Sequence, residues 1–142
     1  MTDPLGQSQV LPYLFGLSNK DLTIHLISFE KSTFSDDIPR IKELCERNGV
    51  VWHPQNYTKK PPLISTLRDI RQMYKVAFDL HKTVDFDIVH CRSYIPAIVG
   101  RSLQKKGLKL VFDMRGFWAD ERVEGGIWNE DHPIFKKSIS VF

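Results

Sequence analysis

Two short runs end in residues that could grip an anion or a sugar. His90-Cys91-Arg92-Ser93 closes one apolar run, and Asp113-Met114-Arg115-Gly116 closes the next, with Trp118, Asp120 and Glu121 just beyond. Arginine carries a permanent charge and a planar fork of donors that suits phosphate oxygens or vicinal hydroxyls. It cannot act as a general base. The competing reading is that each arginine pairs with an acidic residue of its own loop.

The second run belongs to a longer stretch, LVFDMRGFWADERVEGGIW at residues 110–128, that dominates the chain. It opens as a strand of the kind buried on both faces, then breaks into charged and aromatic residues and a Gly125-Gly126 pair. Loops at the carboxyl ends of parallel strands converge on one open edge, which is where α/β sheets hold ligands. The plainer reading is an ordinary strand exit into a surface loop.

A third candidate lies at the start. Asp3-Pro4-Leu5-Gly6 has the residues of a tight turn, and Ser8 is placed to cap a helix over 9–17 with Pro12 near its first turn. Amide groups of such a helix start, around Gly6 and Gln7, could face an anion. A simple turn is the alternative.

Other chemistry finds no motif. GxSxG, GxxxxGK[ST] and GxGxxG are all absent from the sequence. His25, His53, His81, His90 and His132 stand singly, without metal-ligand spacing. His25 and His90 fall inside expected strands and read as core or strand-end residues. Cys45 and Cys91, the two cysteines, sit in apolar patterns and read as buried free thiols of a reducing compartment.

The elements that must position these residues alternate in type. Strands are expected over 22–29, 50–53, 87–91 and 109–113, the second stopped by Pro54. Between them run a helix from Ser35 or Asp36 to Asn48-Gly49, a helix of about six turns from Leu63 to Val84, and a helix capped by Ser93. Expected apolar faces are Ile38, Ile41, Leu44 and Cys45, then Leu63, Leu67, Ile70, Tyr74, Ala77, Leu80 and Val84, then Ile95, Ile98, Val99 and Leu103. A last helix is expected from about Pro133 to Phe142.

This alternation predicts an α/β fold, a mostly parallel sheet of about four strands with helices on both faces. The pattern starts on a strand-to-helix turn whose strand is missing, and stops inside an apolar helix. Both ends therefore read as cut, and the chain as part of something longer.

At 142 residues with 42% hydrophobic and 26% charged, the composition is that of one globular domain. A formal charge of +3, with no basic run interleaved with aromatics, excludes nucleic acid as the expected partner. No apolar run approaches the length of a membrane span, and no secretory signal opens the chain, so a cytoplasmic location is expected. Arg68, Arg71 and Lys75 line one stripe of the long helix. Such a stripe is either a solvated face or a contact for an anionic membrane surface.

With these pieces placed, the chain resembles the N-terminal, acceptor-side half of a GT-B glycosyltransferase, and is most similar to the retaining sugar transferases of family four. The matching segments are DPLGQSQVLPYLFGLS, DLTIHLISFEK, FDIVHCRSYIPAIVGRSL and KLVFDMRGFWADERVEGGIW, which together cover most of the chain. The resemblance implies a Rossmann-like three-layer α/β/α domain over residues 1–142, lacking its first central strand, with the C-terminal donor-binding domain absent.

It further implies a hexosyltransferase that uses a nucleotide sugar as substrate, needs no cofactor or metal, and works in surface polysaccharide or glycolipid synthesis. Gly6 and Gln7 would lie near the donor diphosphate. Arg92, Ser93, Arg115, Gly116, Trp118, Asp120 and Glu121 would face the acceptor cleft. Many members carry histidine where this chain has Arg92 and Arg115, so Arg115 is the catalytic candidate as a positioning cation rather than a base. The acceptor would be a saccharide or lipid-linked, with peripheral contact at the inner face of the membrane. A separate chain could supply the missing domain, without which transfer is not expected. The alternatives are a non-catalytic α/β domain that binds a nucleotide or a partner, and a GT-B sugar epimerase.

Overall fold

A computed structural model describes residues 1–20, 22–59 and 61–114. It is a mixed α/β structure with four α-helices and two small parallel sheets among those residues. The chain divides into two compact units, one spanning Met1–Asp85 and the other starting at Phe86.

In the first unit, β1 (Ile24–Glu30) pairs in parallel with β2 (Val50–Asn56), Ile24 opposite Val50 and Glu30 opposite Asn56. Alternation along the two strands turns Ile24, Leu26, Val50 and Trp52 to one face. There they meet α1 (Leu11–Ser18) and α2 (Ile38–Arg47), and Leu11, Leu14, Ile41, Cys45, Val50 and Trp52 form the buried core. Helix α3 (Pro62–Val84) lies against β1. It is tied down by Gln72 Nε2 donating to Gln55 Oε1 at 3.1 Å and by Asp69 accepting from the Thr58 amide at 3.1 Å.

The expected β2 ended at Pro54, yet the strand runs through it to Asn56, with Pro54 opposite Ser28. Proline cannot donate to a ladder, but among the described residues β2 has a ladder partner on one side only, and on such an edge no bond is lost. The first helix also begins earlier than expected. Helical turns start at Pro4 and pass through a π-helical segment, Gly6–Val10, into α1. The Ser8 hydroxyl is not a cap: it donates to the Pro4 carbonyl at 2.8 Å. Asp3 does the capping, its Oδ1 accepting from the Gly6 amide at 2.9 Å. The wider π turn lies immediately before Pro12, whose missing N–H disturbs the regular ladder.

Gly6 itself is fixed by close approach. A Cβ there would lie 2.7 Å from the Met1 Cα and 2.8 Å from its carbonyl oxygen. Leu44, Leu67 and Val84, expected on buried faces, are exposed instead. Helical spacing identifies a stripe, but only the neighbouring elements decide how wide a stripe is covered.

In the second unit β3 (Ile88–Arg92) pairs in parallel with β4 (Lys109–Asp113), joined by α4 (Tyr94–Gln104). Helix α4 buries Val99, Gly100 and Leu103, whereas Ile95 and Ile98 of the expected face are exposed. No helix among the described residues is long and apolar enough to cross a membrane. The helix expected from Pro133 lies outside the described residues, as does the stretch 110–128 beyond Met114.

Candidate functional site

The parallel register sets Arg92 directly opposite Asp113, so both strands of the second unit end at the same level. Arg92 Nε stands 3.9 Å from Asp113 Oδ2, a loose ion pair at a half-buried site. The Ser93 amide donates to the Asp113 carbonyl at 3.0 Å and seals this end of the sheet. Just behind it, the Tyr94 ring meets Phe112 edge-on, centroids 5.4 Å apart.

Ser93 was expected to cap α4 through its hydroxyl, but no side-chain cap bond forms. Its backbone sits at φ 82°, ψ 167°, a region that residues with a Cβ rarely occupy. Such a conformation costs about 1–3 kcal/mol and persists only where its surroundings impose it. Replacing Ser93 with glycine should therefore raise stability by about 1 kcal/mol, after allowing for the freer unfolded chain. Urea denaturation of the two proteins reads this directly.

Cys91, next to this corner, is not a nucleophile in waiting. Burial pushes its thiol pKa up, against a smaller opposing bond from the Gly100 backbone, and its Sγ donates to the Pro96 carbonyl at 3.3 Å. Cys45 is buried and raised for the same first reason.

The first unit holds Gly6 and Gln7. The amides expected to face an anion are engaged: that of Gly6 with Asp3 Oδ1, and that of Gln7 with the Asp3 carbonyl at 3.1 Å. The Gln7 side chain donates to the Thr2 carbonyl at 2.7 Å and accepts from Arg40 at 2.9 Å. Arg115, Gly116, Trp118, Asp120 and Glu121 lie outside the described residues.

Two polar clusters of the first unit were not singled out from sequence. Glu30, at the carboxyl end of β1, is almost fully buried, with a side-chain exposure of 3%. Its oxygens accept from the Met1 amino group at 2.6 and 2.7 Å, the Thr2 amide at 2.8 Å, and the hydroxyls of Thr2 and Ser28 at 2.6 Å each. The Trp52 indole donates to that same Ser28 hydroxyl at 2.7 Å. Burial alone would raise the carboxyl pKa, but the donors outweigh it and hold Glu30 below the ordinary value. The only trace in sequence is a carboxylate closing an apolar strand.

The second cluster is His25 and His53, expected to stand singly. They sit two register positions apart on β1 and β2, so their rings stack at 5.2 Å with Nδ1 of His25 3.1 Å from Nε2 of His53. One shared proton satisfies that contact, and two would repel. Burial lowers the pKa of both, and for His53 the neighbouring His25 and Lys42 lower it further. Beside His53 runs a shallow groove lined by Lys42, Glu46, Gly49, Val50, Val51 and Trp52. Among the described residues no three His, Cys, Asp or Glu side chains converge to hold a metal.

Compared with protein-family models, with curated proteins and with solved structures, the chain finds no match. Its class therefore rests on its own geometry, a mixed α/β structure of two small parallel sheets, one of them with a polar corner at its carboxyl end.

Proposed function

We propose that this chain is the acceptor-side domain of a nucleotide-sugar-dependent glycosyltransferase of the GT-B kind. The observation that carries the reading is the corner at the carboxyl ends of β3 and β4. There Arg92, Asp113 and the strained Ser93 backbone meet, and the chain continues directly toward Arg115. Strand ends of this sort are where α/β sheets bind ligands, and backbone strain concentrates at functional positions.

The finer architecture belongs to the same proposal. Among the described residues each sheet has two parallel strands, the local unit from which such a fold is built. The finer reading is a Rossmann-like three-layer α/β/α domain. Donor recognition falls mainly to a separate domain, since the Gly6 and Gln7 amides are already bonded within their own turn. In the transfer step Arg92 and Arg115 position acceptor hydroxyls or phosphate, and electrostatic stabilisation of the departing nucleotide diphosphate lowers the barrier.

The test is transfer of labelled hexose from a panel of nucleotide sugars to saccharide and lipid-linked acceptors, using protein isolated with any polypeptide that accompanies it. Arg92→Ala and Arg115→Ala should each lower turnover on the order of a hundredfold while the fold persists. Absence of transfer from every donor, or undiminished turnover in both variants, would remove the reading.

A further inference from the structure

The outward face of α3 carries an arrangement that the packing of the unit does not use. At 3.6 residues per turn, Ile64, Arg68, Arg71 and Lys75 fall on one stripe, with Leu67 on its flank. The opposite stripe is the packed one, with Ser65 and Ala77 buried. Ile64 and Leu67 remain 66% and 67% exposed, the most accessible of the large apolar side chains among the described residues.

The cations on this stripe differ from others in the same unit. Arg40 pairs with Asp37 at 2.9 Å, Arg47 pairs with Glu43, and Lys82 pairs with Asp79 at 3.1 Å. Arg68, Arg71 and Lys75 have no ion pair or hydrogen bond among the described residues. Between Ile64 and Lys75 the one acidic residue is Asp69, and it is turned to the Thr58 amide. The result is three unneutralised positive charges and two bare aliphatic side chains along about 17 Å of helix.

We infer that this face docks on an anionic lipid surface, Ile64 and Leu67 entering the acyl boundary while Arg68, Arg71 and Lys75 meet the headgroup phosphates. The charge complementarity selects the occupant. An apolar protein groove would leave three cations desolvated without partners, whereas an anionic interface accepts both kinds of side chain side by side. Rings of headgroup charge also act within a Debye length of about 8 Å at physiological salt, the reach of these side chains. The inference stands on the surface of the first unit alone, and holds or fails independently of sugar transfer.

The experiment is co-sedimentation of the full chain with vesicles of phosphatidylcholine, with and without about a third phosphatidylglycerol. Binding is expected to the anionic vesicles only. The triple variant Arg68→Gln, Arg71→Gln, Lys75→Gln should weaken it on the order of a hundredfold, given the contribution of each basic residue near a charged surface. Ile64→Ser with Leu67→Ser should leave only binding that physiological salt removes. All five positions project into solvent, so circular dichroism should show an unchanged fold. Equal binding to both vesicle types, an unaffected triple variant, or self-association lost in these variants without any vesicle binding would each overturn the proposal.

Discussion

Glu30→Ala is expected to destabilise the first unit by about 3 kcal/mol, the scale for breaking a buried charged hydrogen-bond cluster. The side chain is almost fully buried, and the Thr2 amide and the Thr2 and Ser28 hydroxyls would all lose their acceptor at once. The loss propagates, because Ser28 orients its hydroxyl between Glu30 and the Trp52 indole in the core. For a domain whose net stability is about 5–15 kcal/mol, this is a large fraction. The midpoint of urea unfolding measures it.

The same residue carries a pH signature with a definite sign. The folded-state pKa of Glu30 lies below its unfolded value, so its ionised form stabilises the fold fully above the unfolded pKa of about 4.3. That contribution disappears as pH falls through the folded pKa. The stability gap between the native protein and Glu30→Gln should therefore be full near pH 7 and shrink on acidification below about pH 4.3. His25 and His53 also have lowered pKa values and weaken the fold below about pH 6.5. They do so in both proteins, so the difference isolates Glu30. A gap that stays constant down to pH 3 would show that its charge is not what the cluster holds.

Gly100→Ala should destabilise the second unit by about 1–3 kcal/mol, although alanine is the better helix former by about 1 kcal/mol. A Cβ at this position would overlap the Cys91 sulfur and sit 2.9 Å from Leu110 Cδ1. Leu110 could rotate away, but Cys91 is buried on β3 and bonded to the Pro96 carbonyl. Glycine is thus what lets α4 lie close on β3 and β4, and so holds Ser93 and Arg92 where they are. Two controls separate this from propensity. Gly16→Ala in α1, where the added Cβ would meet nothing within 4 Å, should be neutral or stabilising. Adding Cys91→Ala to Gly100→Ala should restore much of the lost stability, because the clashing sulfur is gone and contacting sites are not additive. Loss of the same size in both glycine variants would leave close packing without support.

Much of the secondary structure was readable before folding was considered. Runs such as IHLIS and DIVHC are apolar over strand length and bounded by turn residues, and α3 repeats its apolar positions every three or four residues. These signals are local, so they survive in the bare chain. What was misjudged depended on neighbours. Pro54 stays in β2 because that strand is an edge among the described residues. Leu67 and Ile98 are exposed because the packed stripe of each helix does not extend that far round. Ser93 is strained because the strand-to-helix turn at Arg92 must also meet the Asp113 carbonyl.

The candidate site was legible to the same extent. Arginine and aspartate at the ends of apolar runs can be named from spacing, and so Arg92 and Asp113 were on view from the start. Their adjacency follows from the β3–β4 register, which joins residues more than twenty positions apart. The Glu30 cluster and the His25–His53 pair likewise unite residues 24 to 29 positions apart, and no periodicity records such meetings. Sequence by itself determined which segments are strands and helices, because apolar spacing acts within one element. Tertiary structure decided which polar groups meet, which apolar side chains stay bare and where the backbone is strained, because burial and register are properties of several elements packed together.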